Sequence, residues 1–356
     1  MSDPKNITRR EFIERVEKAS LGITASAMFG PLLKSEIAKA TELDYRNYLP
    51  DRMAYRRLGK TEMMVSEISL GGAANYGFDK IDDSDSVAYQ TMLEELLDKG
   101  INFFDTGKTS SYKTEEEFSV LCSPQNRDEV FISTKIDNLT TAGTKAEVED
   151  SLSKMGTDYI DLVYIHNGKG ISGTDYSDAL ICFDAIDELI LEGKVRFKGM
   201  TSHYTSQLEG LLNNYSDRID VIMGYYSPLI DWVWGTGTPE TWSQVWSIAK
   251  TKDVGVVAMK VLASAATIWE DREAKLRSTQ EDWARLQPFV DTGATVPQAC
   301  IRWALSNPNI SSAVVGMRDS IEANEDVAAI IPENSRSIPS ALPTFRAPEI
   351  RQFPIN

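Results

Sequence analysis

The sequence predicts a single (β/α)8 barrel, and two observations lead to this fold class. From Met53 onward, short apolar runs alternate with longer amphipathic segments, and eight of these runs have the length of a buried strand. Several runs end on polar residues, which a barrel gathers on one face because the carboxyl ends of its strands converge there. An open doubly wound sheet is disfavoured because Gly71-Gly72 is followed by Ala73-Ala74-Asn75, which is not a dinucleotide-binding glycine pattern.

Strands and helices alternate along the predicted barrel. The predicted strands are Val65–Leu70, Ile101–Asp105, Val130–Lys135, Asp161–His166, Val195–Thr201, Asp220–Tyr225, Gly255–Lys260 and Ser312–Gly316. The predicted helices are Ser84–Lys99, Thr144–Lys154, Ser177–Leu191, Thr205–Asn213, Pro239–Lys250 and Val296–Ser306, with another expected after Asp319-Ser320. Ala54–Leu58 and Met63–Glu67 flank Gly59-Lys60, which predicts a hairpin at the barrel floor.

The chain divides into four predicted segments. Residues 1–40 form an export signal, 41–53 a linker, 54–330 the barrel and 331–356 a C-terminal tail. The stretches 228–239 and 263–295 exceed ordinary loop length, and each carries two tryptophans. We expect these aromatic loops to shape a ligand site, although Trp283 could instead anchor an additional helix.

The first forty residues have the features of a twin-arginine export signal. Arg9-Arg10 precede a mildly apolar stretch, Ala19–Leu33, and a small-x-small site, Ala38-Lys39-Ala40. The apolar stretch is too short and too polar for stable membrane insertion. The pattern therefore predicts recognition by export machinery and a periplasmic or otherwise exported protein. The alternative is an ordinary amphipathic N-terminal helix, with a cytoplasmic location.

Composition disfavours several classes of partner. The formal charge of −16 argues against nucleic acid and anionic membranes. Cys122, Cys182 and Cys300 are widely spaced, with no Cys/His cluster, so neither a disulfide framework nor a metal site is predicted. A hydrophobic content of 42% is enough for one sizeable core.

Four proton-handling residues stand at or just after predicted strand ends. Asp105, Lys135 and His166 each end an apolar run, and Tyr112 follows Asp105 in the next loop. In a parallel barrel these four side chains would converge on one site.

From about Met53 to Ile330 the chain resembles the aldo-keto reductase family. The matching motifs are Tyr55-Arg56-Arg57-Leu58-Gly59-Lys60-Thr61, Gly100-Ile101-Asn102-Phe103-Phe104-Asp105-Thr106, Phe131-Ile132-Ser133-Thr134-Lys135, Thr157-Asp158-Tyr159-Ile160-Asp161-Leu162-Val163-Tyr164-Ile165-His166, Gln298-Ala299-Cys300-Ile301-Arg302-Trp303-Ala304-Leu305-Ser306 and Val314-Val315-Gly316-Met317. The resemblance implies a (β/α)8 oxidoreductase that uses NADPH, or less often NADH, on a small-molecule carbonyl or alcohol.

The resemblance places the family's catalytic Asp, Tyr, Lys and His on Asp105, Tyr112, Lys135 and His166. A tyrosine hydroxyl is a poor acid at neutral pH, and an ammonium beside it lowers its pKa. Lys135, paired with Asp105, would thus prepare Tyr112 to protonate a carbonyl oxygen. His166 would orient or polarise the same oxygen while hydride arrives at carbon. The loop from Asp105 to Tyr112 is longer here than in the family.

The resemblance also implies which residues bind the cofactor. They are Gly72, Thr201, Ser202, Met223, Lys260, Gly316, Arg318, Glu322 and Asn324. Thr201 and Ser202 would hold the nicotinamide amide, and Met223 replaces a common glutamine. Arg318 and the following helix N-terminus would suit an adenosine 2′-phosphate, which favours NADP. Glu322 and Asn324 would face the adenine.

Three functions stay open at this point. The first is an NADPH-dependent carbonyl reductase or alcohol dehydrogenase. The second, suggested by export, is a redox-neutral epimerase or eliminating glycosidase that retains NAD(P). The third is a nucleotide-binding barrel with little turnover, which a displaced Tyr112 would leave. The sequence predicts neither the particular substrate nor the oligomeric state.

Overall fold

The computed structural model describes residues 43–72, 83–107, 114–229, 237–263 and 280–335. The predicted export signal, Tyr112, Trp232, Trp234 and most of the predicted tail lie outside these ranges. None of the described helices combines the length and the apolar character needed to cross a bilayer.

A hairpin precedes the barrel, as predicted. Strands β1 (Tyr55–Arg57) and β2 (Met64–Ser66) pair in antiparallel fashion around a short 3-10 turn. The prediction of one strand over Val65–Leu70 is wrong, because the chain leaves the hairpin at Glu67. The Glu67 backbone N–H donates to Ala54 O at 2.8 Å and its carboxylate accepts from Arg56 Nε at 2.6 Å. The first barrel strand, β3 (Ile68–Gly71), begins only after this junction.

Eight parallel strands close into a barrel, which confirms the predicted fold class. After β3 they are β4 (Phe103–Asp105), β5 (Phe131–Ile136), β6 (Ile160–Ile165), β7 (Val195–Ser202), β8 (Val221–Tyr225), β9 (Gly255–Met259) and β10 (Ser312–Val315). They follow one another around the barrel in chain order, and β10 pairs with β3 to close it. All carboxyl ends therefore open on the same face.

Helices cover the outside of the described barrel. They are α1 (Asp83–Asp98), α2 (Thr114–Glu117), α3 (Thr141–Met155), α4 (Ser177–Leu191), α5 (Thr205–Tyr215), α6 (Pro239–Thr251), α7 (Gln280–Val290), α8 (Val296–Leu305) and α9 (Ser320–Val327). Helix α4 has the predicted bounds. Within the long stretch 263–295, the alternative of an additional helix at Trp283 is confirmed, because α7 covers Gln280–Val290. There α7 packs on the core through the buried Leu286 and Phe289 and the partly buried Trp283.

Two apolar layers make up the core. The barrel interior is filled by side chains from alternate strand positions and from the hairpin: Leu58, Met63, Val65, Phe103, Phe131, Leu162, Tyr164, Val221, Met223, Val257 and Val314. A larger layer lies between strands and helices. Gly199 makes room for the Tyr164 ring, because a Cβ at Gly199 would lie 2.8 Å from that ring.

Residues 44–49 do not form the free linker that the sequence predicts. Arg46 Nη1 donates to Asp161 Oδ1 at 3.0 Å and to Val130 O at 2.8 Å, at the amino end of the barrel. Asn102 Nδ2 donates to Arg46 O at 2.7 Å, and Asn47 Nδ2 donates to Leu97 O at 2.8 Å. Buried polar groups need such partners, so this segment is part of the folded barrel floor.

Candidate active site

A buried ion pair lies at the carboxyl ends of β4 and β5. Lys135 Nζ is 2.7 Å from Asp105 Oδ2, and the two side chains are 14% and 8% exposed. Ser133 Oγ donates to Asp105 Oδ1 at 2.6 Å, and Lys135 Nζ donates to Thr106 O at 2.6 Å. The strand register explains this pair. Asp105 lies opposite Ser133, and Lys135, two residues further along β5, has its side chain on the same, inward-facing side of the strand.

His166 stands on the neighbouring strand. Strand β6 ends at Ile165, one residue earlier than predicted, and His166 begins a short 3-10 turn. Its Nδ1 is 2.9 Å from Asp137 Oδ1, and Lys169 Nζ donates to the same oxygen at 2.8 Å. Burial and the charge of Lys135 lower the pKa of His166, although Asp137 opposes the shift. The imidazole is therefore mainly neutral at pH 7, and a third of the side chain remains exposed.

Both ends of the Tyr112 loop are anchored, although Tyr112 itself lies outside the described residues. Thr106 Oγ1 is 2.8 Å from Thr114 Oγ1. Gly72 packs closely against the two ends of the loop, because a Cβ on it would come within 3.1 Å of Thr114 Cβ and 3.3 Å of Asp105 O. Gly72 therefore permits close packing against Asp105 and Thr114.

Glu115 holds the start of α2. It is buried and accepts hydrogen bonds from Thr134 Oγ1 at 2.6 Å and from Ser151 Oγ at 2.7 Å. The loop that carries Tyr112 is thus tied to β4, β5 and α3 at its two ends.

Tyr164 is another tyrosine near Asp105, and it lies in the barrel interior. Its side chain is fully buried, and its hydroxyl has no hydrogen-bond partner among the described residues. Burial, followed by the charge of Asp105, raises its pKa well above the usual value. A buried, weakly acidic phenol cannot meet a substrate, so Tyr164 does not stand in for Tyr112.

The residues expected to hold the nicotinamide are already engaged within the protein. Thr201 Oγ1 accepts from Asn167 N at 2.8 Å, and Ser202 Oγ donates to Gln207 Oε1 at 2.6 Å. Met223 is fully buried in the barrel interior. Its assignment as a cofactor contact is corrected, because a side chain without accessible surface packs the core instead.

Lys260 follows β9 at the carboxyl face. It adopts a left-handed backbone conformation, with φ of 56°, and burial lowers its pKa. It forms no salt bridge with a carboxylate in the described part of the chain. His203, after β7, has its pKa lowered to about 4 by burial, Lys260 and His166. A cation without a carboxylate partner fits a ligand that carries a diphosphate.

The residues assigned to the adenosine half cluster around α9. Gly316 directly follows β10. Arg318 donates to Glu322 through its side chain and through its backbone N–H, the latter at 2.8 Å. Asp319 caps the helix by accepting from Ile321 N and Glu322 N, and the exposed Asn324 donates to Ser320 O at 2.6 Å. Arg318 is therefore paired with Glu322, and a 2′-phosphate has to compete with this carboxylate.

The structure adds residues to the site that sequence reasoning missed. Asp137 and Lys169 complete the environment of His166, and Ser133 supports Asp105. Asn167 is exposed beside His166, with φ of 56°. Asp137 had one sequence signal, its position two residues beyond Lys135 and just past the end of β5. Lys169 had no sequence signal, because its position depends on the conformation of the turn that follows His166.

Comparisons with known proteins agree with this architecture. The model of the Aldo/keto reductase family matches residues 67–337. An L-galactose dehydrogenase from Arabidopsis thaliana is 25% identical over 298 residues, covering 78% of this chain and 88% of that protein. An A. thaliana protein named as a voltage-gated potassium channel subunit beta is 24% identical over 315 residues, covering 78% and 91%. A solved Pseudomonas aeruginosa structure classed as an aldo-keto reductase is 21% identical, with a TM-score of 0.57 over 80% of this chain and 96% of that one. At this identity the likeness concerns the fold alone.

The closed barrel brings the buried Lys135–Asp105 pair and the neighbouring His166 together at its carboxyl face. The chain belongs to the aldo/keto reductase family, whose members use nicotinamide cofactors on small-molecule substrates.

Proposed function

We propose that this protein is an NADPH-dependent carbonyl reductase or alcohol dehydrogenase. The observation that carries the proposal is the ion pair between Lys135 and Asp105, held at the strand ends beside His166. Burying a charged pair costs free energy. The carboxyl face of a barrel is where such folds place their catalytic residues, so a catalytic role accounts for a charged pair at this position.

In this proposal Tyr112 is the general acid. The Lys135 ammonium stabilises the phenolate that remains after Tyr112 gives its proton to a carbonyl oxygen. Asp105 and Thr106 hold that ammonium in place, and Ser133 in turn supports Asp105. When bound, the nicotinamide supplies the hydride in reduction and accepts it in oxidation.

For the cofactor, we propose that Lys260 faces the diphosphate and that Arg318 favours the 2′-phosphate of NADP. The support is electrostatic: Lys260 has no carboxylate partner among the described residues, and Arg318 lies at the start of α9. In this proposal Thr201 and Ser202 act indirectly, by fixing the positions of Asn167 and Gln207 through hydrogen bonds.

The test is cofactor binding followed by turnover. Purified protein should quench or shift NADPH fluorescence on binding, and it should consume NADPH when given simple aldehydes. Lys135→Met should retain the binding signal and lose turnover. Binding without turnover in the wild type would instead support a nucleotide-binding barrel. The relative named as a potassium channel subunit gives that second function some weight.

We also propose that residues 1–40 direct export by the twin-arginine route. The support is the order of Arg9-Arg10, an apolar stretch and Ala38-Lys39-Ala40. In an exported protein, retained nicotinamide would point to redox-neutral chemistry, such as epimerisation or eliminating glycoside cleavage. Assaying the exported fraction for bound NAD(P), and for its redox state, separates these activities from net reduction.

A further inference from the structure

The Tyr164 hydroxyl is a hydrogen-bond donor without an acceptor in the barrel interior. Its side chain is fully buried, and no described residue accepts a hydrogen bond from the hydroxyl. Tyr164 lies directly beside Lys135 in the register of β5 and β6, and both side chains point into the barrel. A buried polar group without a partner destabilises a protein. A phenylalanine would fill the same space without this penalty, so the retained hydroxyl indicates a partner in another arrangement of the site.

One oxygen of the Asp105 carboxylate depends on a single donor. Oδ1 accepts from Ser133 Oγ at 2.6 Å and from Lys135 Nζ at 2.8 Å. Oδ2 accepts from Lys135 Nζ at 2.7 Å, and no other described residue donates a hydrogen bond to it. A displacement of the ammonium away from Oδ2 therefore leaves a buried carboxylate oxygen without a donor, which costs more than an unpaired neutral group.

The proposed chemistry gives the ammonium a reason to move. In that mechanism Tyr112 gives its proton to the substrate, and the negative charge that remains on Tyr112 attracts the ammonium of Lys135. Asp105 Oδ2 then loses its donor while Tyr164 still lacks an acceptor. Burial, and then the charge of Asp105, raise the pKa of Tyr164, so the carboxylate lies within electrostatic reach of this hydroxyl.

We propose that Tyr164 donates a hydrogen bond to Asp105 Oδ2 when the Lys135 ammonium shifts toward the reacting tyrosine. A hydroxyl donor without an acceptor then pairs with a carboxylate oxygen without a donor, and each satisfies the other. Tyr164 is thus a positioning residue, which keeps Asp105 hydrogen-bonded while Lys135 is displaced. The shift of the ammonium rests on the proposed reductase function, but the pairing of Tyr164 with Asp105 can be measured without turnover.

The stability of four proteins without cofactor tests this pairing. In Lys135→Met, Asp105 Oδ2 has lost its donor permanently, so the Tyr164 hydroxyl should pair with it. Adding Tyr164→Phe to that variant should raise the unfolding equilibrium constant by about tenfold or more, the value of a hydrogen bond to a charged group. In the wild-type background Tyr164→Phe removes only an unpaired hydroxyl, so the constant should stay the same or fall. Urea unfolding of the wild type, both single variants and the double variant measures this coupling.

The matched control is Tyr89→Phe. Tyr89 is also buried, and its hydroxyl has no hydrogen-bond partner among the described residues. The carboxylate whose charge acts on it, Glu117, already accepts from Ser86 Oγ at 2.6 Å and from Gln90 Nε2 at 3.0 Å. Tyr89→Phe should therefore change the unfolding constant equally in both backgrounds. If Tyr164→Phe also has equal effects in both, the proposed pairing is overturned.

Kinetics separate this role from a purely structural one. Tyr164→Phe should lower kcat by about tenfold and leave KM and the dissociation constant of NADPH unchanged, because the hydroxyl acts only after the ammonium has moved. Tyr89→Phe should change none of the three. An unchanged kcat in Tyr164→Phe overturns the positioning role, and this comparison decides the matter if Lys135→Met does not fold. If the wild type reduces no aldehyde, the proposed reductase function fails, while the unfolding measurements still decide whether Tyr164 pairs with Asp105.

Discussion

Lys135 Nζ donates to both carboxylate oxygens of Asp105, at 2.8 and 2.7 Å, and to Thr106 O at 2.6 Å. These three acceptors match the three N–H donors of an ammonium. Lys135 is therefore held in place by its own neighbours. In the proposed mechanism it acts on Tyr112 through its positive charge rather than through a free N–H.

Tyr112→Phe should abolish most carbonyl reduction and leave NADPH binding intact. The variant lacks the hydroxyl proton, and general acid catalysis is typically worth about 10²–10⁴-fold in rate. Steady-state kinetics and a fluorescence titration with NADPH measure the two quantities. Near-normal turnover would mean that the longer loop has passed the proton to another group.

Lys135→Met should lower turnover by about 10²-fold or more and also destabilise the protein. Removing the lysine leaves a buried carboxylate unpaired, which costs about 3–5 kcal/mol. The double variant Asp105→Asn/Lys135→Met should regain much of the stability and none of the activity. Urea unfolding and initial rates check both parts, and a double variant as unstable as the single one would contradict the pairing argument.

Arg318 and Glu322 should tune the choice between NADPH and NADH in opposite directions. Arg318→Ala should weaken NADPH binding by about tenfold to a hundredfold, the value of a charge-assisted contact, with little effect on NADH. Glu322→Gln should tighten NADPH, because it removes the carboxylate that competes with a phosphate for Arg318. Dissociation constants for NADPH and NADH, measured for the wild type and both variants, test this prediction. An equal loss of affinity for NADPH and NADH in Arg318→Ala would exclude a contact with the 2′-phosphate.

Replacing Arg9 and Arg10 with Lys should keep the protein in the cytoplasm, folded and active. The paired arginines are the element that the twin-arginine route recognises. Cell fractionation with an activity assay gives the location, and N-terminal sequencing of the exported protein should find a start at about Thr41. A full-length N-terminus on the wild type would favour the structural-helix alternative.

A chain starting at Thr41 should melt like the full-length protein, whereas one starting at Met53 should not. The shorter chain loses Arg46, whose guanidinium reaches the fully buried Asp161 at 3.0 Å. Arg127 and Arg196 still pair with Asp161, so the lost Arg46 contact is worth one charged hydrogen bond, about 2 kcal/mol. The hydrogen bonds of Arg46 O with Asn102 and of Asn47 with Leu97 O are lost as well and add to this destabilisation. Thermal unfolding of both chains measures it, and equal melting temperatures would show that residues 44–49 add nothing to stability.

Much of the fold was predictable because it depends on local patterns. Apolar runs of strand length and helices of 3.6-residue period are visible in the sequence, and α4 has the bounds its period indicates. The hairpin was visible from its turn residues, but its junction with β3 was not. Glu67 looks like part of one strand until Arg56 and Ala54 are placed beside it.

For the site, the sequence by itself determined the residue types and the strand ends at which Asp105, Lys135 and His166 stand. Strand order follows from the fold class, so their convergence could be expected. Only the tertiary structure decided the partners: Asp137 for His166, Glu322 for Arg318 and the barrel interior for Met223. The physical reason is that hydrogen bonds and burial depend on side-chain positions over a few ångströms. Those positions are set by strand register, loop geometry and packing between segments distant in the chain, which no local pattern of residues encodes.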